Sequence, residues 1–217
     1  MLEVTEADIA ALADDDLRAL VARLCEAEMR QRGLPSSAVT WGGAQDALDG
    51  GIDVRVELPA GTPVGGFIPR ASIGFQVKKP DMGAADITAE MRPKGTIRPS
   101  IQGLADKGGA YIIVSGSGST TDSALQSRRA AMATAVKGIP NESALGLDFF
   151  DRTRMATWVR DHQGLVPWVR MKARRPITGC PIRPAGGLVA ARVAPRPATR
   201  SKKVPVNGSV ASKASAR

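Results

Sequence analysis

The sequence feature that most constrains the fold is a change of hydrophobic period near residue 50. Over residues 6–33 the apolar positions recur at helical spacing, which predicts one long or broken helix. From Ile52 to Leu58 apolar and polar residues alternate instead, the period of a half-buried strand. A second strand is predicted at residues 73–79. Because residues 59–66 are rich in Gly and Pro, we expect the two strands to form an antiparallel hairpin.

The rest of the first 170 residues alternates between predicted helices and strands. Short apolar runs at 111–114 and 147–150 predict strands, the first of them buried and central because glycines flank it. Helices are predicted within 80–91 and at 99–107, 122–136 and 152–160. The expected class is α/β, with a mixed central sheet flanked by helices, in one domain spanning residues 1–170.

The net charge of +9 is distributed unevenly along the chain. Residues 1–170 hold 19 Lys and Arg against 21 Asp and Glu, whereas residues 171–217 hold 11 Lys and Arg and no acid. The second segment is a basic tail rich in Pro, Ala and Arg, without periodicity, and disorder is expected there. The abrupt charge step leaves open that a shifted reading frame makes the tail foreign to the domain.

The composition excludes several classes of protein. No apolar run approaches the ~20 residues that span a bilayer, and the acidic start of the chain is unlike a secretory signal. We therefore expect a cytoplasmic protein without a membrane partner. Cys25 and Cys180 lie far apart without CxxC spacing, which indicates neither a zinc site nor a disulfide framework.

Three polar residues of the predicted hairpin form the candidate site. Residues two apart on a strand share a face, so Gln76 and Lys78 should project together while Phe75 and Val77 enter the core. Asp53, near the start of the neighbouring strand, should reach the same point. One carboxylate and one amide oxygen suit Mg²⁺, and a nearby lysine can orient the attacking water and offset charge on a phosphate. This set is the minimum for hydrolysing a phosphodiester.

The pattern Gly-Gly-Ile-Asp followed by Gln-Val-Lys resembles the Mrr-type branch of the PD-(D/E)xK restriction-endonuclease-like superfamily. In that branch glutamine commonly replaces the second acid of the motif. The resemblance implies a restriction-endonuclease-like core in which Asp53 is the metal-binding acid, Gln76 takes the place of the second acid and Lys78 is the catalytic lysine. It also implies Mg²⁺ as cofactor, with Mn²⁺ as an alternative, and DNA as substrate.

The family often adds a glutamate from the first helix. Glu26 and Glu28 are both candidates, and we prefer Glu28 as a catalytic residue and metal ligand because it lies four residues after Leu24, on the face expected to meet the sheet. Similar domains occur in prokaryotic defence proteins, joined to larger sensing modules. The resemblance thus implies an endonuclease acting against foreign DNA, with a sensor module as partner and an oligomeric active form.

Other interpretations of these residues stay open. Alternating charges on a strand are usually a solvated face, and an Asp after Gly-Gly-Ile can simply close a turn. A degenerate member would bind DNA without cutting it, and an effector domain separated from a larger regulator is a third alternative. Residues 115–121 follow a strand and precede a helix, but they lack the P-loop lysine and indicate a flexible turn. His162 is interpreted as a helix-terminal surface residue, and Trp158 and Trp168 as packing residues.

Overall fold

The computed structural model describes residues 3–42 and 51–174. Residues 43–50 and the basic tail after residue 174 lie outside this described part. The disorder expected of the tail therefore stays a prediction. The described residues contain seven α-helices and five strands. The helices are α1 (Glu6–Ala11), α2 (Asp14–Gln31), α3 (Ala84–Met91), α4 (Pro99–Asp106), α5 (Asp122–Val136), α6 (Arg152–Asp161) and α7 (Val166–Ala173). The strands are β1 (Val39–Trp41), β2 (Val54–Glu57), β3 (Ser72–Lys78), β4 (Ala110–Ser115) and β5 (Gly146–Phe150).

The strands form one mixed sheet in the order β1-β2-β3-β4-β5. The pairs β1/β2 and β2/β3 are antiparallel, and the pairs β3/β4 and β4/β5 are parallel. The predicted α/β class, the mixed sheet flanked by helices and the β2/β3 hairpin are therefore confirmed. The narrower restriction-endonuclease-like core stays a prediction.

Each face of the sheet is covered by its own hydrophobic core. The first core contains Phe75 of β3, Leu20 of α2 and Trp158 of α6. The second core contains Tyr111 of β4 together with Ile87 of α3 and Leu104 of α4. Because successive side chains of a strand point to opposite faces, Phe75 and Val77 enter the first core while Gln76 and Lys78 lie on the side of α3 and α4.

The sequence pattern missed three features of this fold. The helix predicted as long or broken is broken in two at a point that the pattern did not locate. Leu12 and Ala13 have extended backbone angles, and three aspartates then begin α2, where the helix dipole favours negative charge. Strand β1 has only three residues, too few to show a period. Helix α7 crosses the expected domain end at residue 170 and continues to Ala173. No helix in the described part is long and apolar enough to cross a membrane.

Candidate active site

Asp53 and Gln76 are brought together by the β2/β3 hairpin. The Asp53 backbone N–H donates a 2.8 Å hydrogen bond to the Phe75 carbonyl and so continues the antiparallel pairing. The Asp53 Oδ2 atom accepts hydrogen bonds from the Val77 N–H, at 2.7 Å, and from Gln76 Nε2, at 3.0 Å. The neighbouring positions predicted for Asp53 and Gln76 are thus present in the structure. The carboxylate is oriented by two donors and retains further lone pairs for another ligand.

Two buried polar atoms near this carboxylate have no hydrogen-bond partner among the described residues. Gln76 is only 4% exposed, and its Oε1 atom accepts no bond. The Tyr111 hydroxyl, fully buried in the second core on the neighbouring strand β4, is also without a partner. An orphaned buried polar atom costs about 1–3 kcal/mol, so it calls for a ligand or another functional reason. Gln76 Oε1 is an oxygen donor suited to a hard cation.

Lys78 lies on the same face as Gln76 and is still reachable from solvent. Its side chain is 35% exposed, and its Nζ atom lies 3.2 Å from Glu90 Oε2. Glu90 belongs to α3 and was not identified from the sequence. A signal was available, because Glu90 follows the buried Ile87 by three residues and therefore shares the inner side of α3.

The Asp53 carboxyl experiences opposing electrostatic effects. Burial raises its pKa above the ordinary value, while the hydrogen bond from Val77 and the positive charges of Arg18 and Lys78 lower it. Asp14 raises it further. Since burial dominates, the ionised carboxylate is held at a cost, and a bound cation would relieve that cost.

The Gly-Gly-Ile-Asp motif has a steric explanation at Gly51. Its φ of +79° lies in the left-handed region that favours glycine. A Cβ at this position would also lie 2.7 Å from Arg98 Nε, too close for any real contact. Gly51 therefore lets the Arg98 side chain pack against the backbone two residues before Asp53.

Glu28 does not approach this site, which corrects the sequence prediction. It is 6% exposed, and its Oε1 atom accepts a 3.0 Å hydrogen bond from Trp158 Nε1. It also lies 3.1 Å from His162 Nε2 and 2.8 Å from Arg32 Nη2. The Trp158 ring packs 5.9 Å from Phe75, on the face opposite to Gln76. The helical stripe placed Glu28 toward the sheet correctly, but it is the start of α2, with Asp14 and Arg18, that lies near Asp53. Glu28 follows Arg18 by ten residues, about 15 Å further along the helix axis, and so cannot share the site.

The other singled-out residues have structural roles. Glu26, the second candidate from α2, is 29% exposed and lies 3.8 Å from Arg30. His162 ends α6 as predicted, but its side chain is only 9% exposed, so its interpretation as a surface residue is wrong. Trp158 is a core residue as expected, and Trp168 packs against the first core beneath Arg23. Their interpretation as packing residues is confirmed.

Two carboxylates, those of Asp151 and Asp81, lie against the loop between β4 and α5. Asp151 accepts bonds from the Thr120 backbone N–H, at 2.8 Å, and from its hydroxyl, at 2.9 Å. A Cβ at Gly118 would meet Asp81 Oδ1 at 2.1 Å. Neighbouring negative charges would repel a phosphate, which agrees with the interpretation of this loop as a turn.

Asp53 and Gln76 fit a divalent cation that keeps most of its water. They offer one carboxylate and one buried amide oxygen, a donor set suited to Mg²⁺ or Mn²⁺. Within residues 3–42 and 51–174, no group of three or more His, Cys, Asp or Glu is arranged to hold a metal ion. Among the side chains of this described part, such an ion would depend on these two, together with water and substrate oxygens.

Comparisons with family models, with curated proteins and with solved structures found no match to this chain. The site must therefore be interpreted from its own geometry.

Proposed function

We propose that the chain is a Mg²⁺-dependent endodeoxyribonuclease that hydrolyses phosphodiester bonds. The observation that carries this proposal is the buried Gln76 Oε1 atom beside the Asp53 carboxylate, which has no hydrogen-bond partner among residues 3–42 and 51–174. The Lys78 ammonium lies on the same face of β3. A buried oxygen without a donor is costly, and a hard cation is the ligand that an amide oxygen and a carboxylate share. Glu28 has no part in this proposal.

Each side chain has a distinct task in the proposed reaction. Asp53 and Gln76 would hold the cation, and Gln76 Nε2 keeps the Asp53 carboxylate oriented through their 3.0 Å hydrogen bond. The bound cation would act as a Lewis acid on a phosphate oxygen. Lys78, partly exposed at the end of β3, would orient the attacking water and offset the negative charge that develops on the phosphate. Defence against foreign DNA, a larger sensor module and an oligomeric active form are supported by the motif resemblance alone.

A second candidate is a DNA-binding module that does not cut. It is favoured by the ion pair between Lys78 and Glu90, because a lysine neutralised in this way contributes less to charge stabilisation at a phosphate. It is also favoured by the small number of ligands that the described part of the chain offers to a metal. In this alternative the basic tail would supply most of the DNA affinity.

Plasmid cleavage by the full chain separates the two candidates. Supercoiled DNA is incubated with wild type in Mg²⁺ or in EDTA, and with the Asp53→Ala and Asp148→Ala variants. Asp148 is the matched control, since this carboxylate on β5 also accepts a backbone N–H bond, from Phe149, and is held by Arg129 and Arg154, but lies two strands from β3. We expect cleavage only with Mg²⁺, lost by several orders of magnitude in Asp53→Ala and kept in Asp148→Ala. DNA binding without any cleavage would support the second candidate.

A further inference from the structure

Three charged side chains form a continuous chain that ends at Lys78. Arg98 Nη2 lies 2.8 Å from Glu90 Oε1, and the other carboxylate oxygen, Oε2, lies 3.2 Å from Lys78 Nζ. Glu90 is the central member, and its side chain is only 15% exposed. Each carboxylate oxygen thus engages a different cation, and Glu90 links the lysine ammonium to Arg98.

Arg98 is itself anchored at more than one point. Its Nε atom donates a 2.6 Å hydrogen bond to the Glu90 backbone carbonyl, and its backbone N–H donates to the Met91 carbonyl at 3.1 Å. The Arg98 side chain packs against Gly51, where a Cβ would lie 2.7 Å from Nε and force it to move. The same arginine therefore connects the end of α3, the start of α4 and the backbone just before Asp53. This arrangement goes beyond a surface ion pair, which would be free to rearrange.

A lysine needs such support if its ammonium is to act at one point. Its side chain has four rotatable bonds and a compact point charge, so it does not hold a fixed direction without partners. Misplacing a catalytic group by about 1 Å can reduce the rate about 100-fold. The sequence provides the support on α3, 12 residues after Lys78, where no strand periodicity would reveal it.

We propose that Glu90 is a positioning residue that fixes the Lys78 ammonium beside the Asp53 carboxylate, and that Arg98 holds Glu90 in place. This inference rests on the proposed nuclease function for its catalytic meaning. Glu90 acts through Lys78 and is not a ligand of the cation. If Glu90 were a ligand of the cation, its replacement would lower the metal affinity directly.

The test compares Glu90→Gln with Glu57→Gln in the full chain. Glu57 is the matched control, because its carboxylate also bridges two basic residues, Lys107 at 3.0 Å and Arg55 at 3.3 Å, but lies near the other end of the β2/β3 hairpin. Single-turnover DNA cleavage, DNA affinity and Mn²⁺ affinity are measured for each variant. We expect Glu90→Gln to lower the cleavage rate about 100-fold with DNA and Mn²⁺ affinities unchanged, and Glu57→Gln to retain the wild-type rate.

The Lys78→Ala/Glu90→Gln double variant decides whether Glu90 acts through the lysine. We expect it to cut as slowly as Lys78→Ala alone, because effects of residues that act as a unit do not add. A further loss in the double variant, a fall in Mn²⁺ affinity in Glu90→Gln, or a wild-type cleavage rate in that variant would each overturn the proposal.

A readout that needs no DNA separates this inference from the proposed function. The Lys78 ammonium is observed by ¹H–¹⁵N NMR and assigned by its absence in Lys78→Ala. An ion-paired ammonium exchanges its protons slowly, so we expect a Lys78 signal in wild type and in Glu57→Gln and its loss in Glu90→Gln. Absence of cleavage by wild type would reject the nuclease proposal, while an equally persistent Lys78 signal in Glu90→Gln would reject the positioning role of Glu90.

Discussion

Glu28 and Glu26 lie two residues apart on α2, but the structure gives them very different surroundings. The Glu28 carboxylate is buried against Trp158, His162 and Arg32, whereas Glu26 is more exposed and weakly paired. Replacing each by alanine therefore tests whether Glu28 is a structural residue.

The expected magnitude follows from the groups that Glu28→Ala leaves behind. It removes the partner of a mostly buried guanidinium, and breaking a buried ion pair costs about 3–5 kcal/mol. The buried Trp158 N–H loses its acceptor as well, which belongs to the same penalty. Glu26→Ala should cost less than about 1 kcal/mol, as for exposed pairs. With a denaturant slope of about 2 kcal/mol/M, the urea midpoint of Glu28→Ala should fall by about 2 M.

Urea unfolding followed by tryptophan fluorescence measures both midpoints. If the two variants unfold at the same urea concentration, the buried network around Glu28 is not a stabilising element. Cleavage assays at a temperature where Glu28→Ala stays folded should give the wild-type rate within a few-fold. A loss of several orders of magnitude there would restore Glu28 to the active site.

Three further predictions concern Asp53, Tyr111 and the tail. Burial raises the pKa of Asp53, so the folded state binds this proton more tightly than the unfolded chain, and stability falls as pH rises from the unfolded through the folded pKa. Asp53→Asn should therefore melt above wild type at pH 7, and the difference should shrink toward low pH. Equal melting curves for the two proteins at pH 7 would contradict this. Tyr111→Phe removes a buried hydroxyl that has no partner within the described residues, so its urea midpoint should match or exceed that of wild type. A loss of more than about 1 kcal/mol in the free energy of unfolding would show that the hydroxyl is hydrogen-bonded after all. Truncation after Arg174 keeps α7 whole and removes most of the basic tail. It should flatten the log-log dependence of DNA affinity on salt by about 0.9 per lost phosphate contact. An unchanged slope would exclude the tail from DNA binding.

The hairpin was predictable because its signal is local. The alternation from Ile52 to Leu58 and the turn residues after it specify two paired strands, and the two-residue period places Gln76 and Lys78 on one face without knowledge of the rest of the fold. The position of Asp53 beside Gln76 follows from that pairing.

The surroundings of the hairpin depend on tertiary choices that the local pattern does not contain. A helical stripe shows which side of α2 meets the sheet, but not which turn of the helix lies beside Asp53. The first turns, with Asp14 and Arg18, lie there, and Glu28 near the other end does not. Glu90 reaches Lys78 only because α3 packs on the face of the sheet opposite to α2. Arg98, at the start of α4, pairs with Glu90 there. Strand β1 is recognisable only as a partner of β2.

Lys78 and its neighbour Lys79 provide the most direct test of the account, because they differ mainly in the face they occupy. Lys78 lies beside Glu90 on the side of Gln76, whereas Lys79 donates to the Ala10 carbonyl of α1 on the opposite side. Single-turnover cleavage of plasmid DNA in Mg²⁺ is measured for Lys78→Ala and Lys79→Ala, with melting curves to confirm that both are folded. We expect Lys78→Ala to lose several orders of magnitude in rate while Lys79→Ala cuts at the wild-type rate. Equal rates for the two variants, or undiminished cleavage by Lys78→Ala, would contradict it.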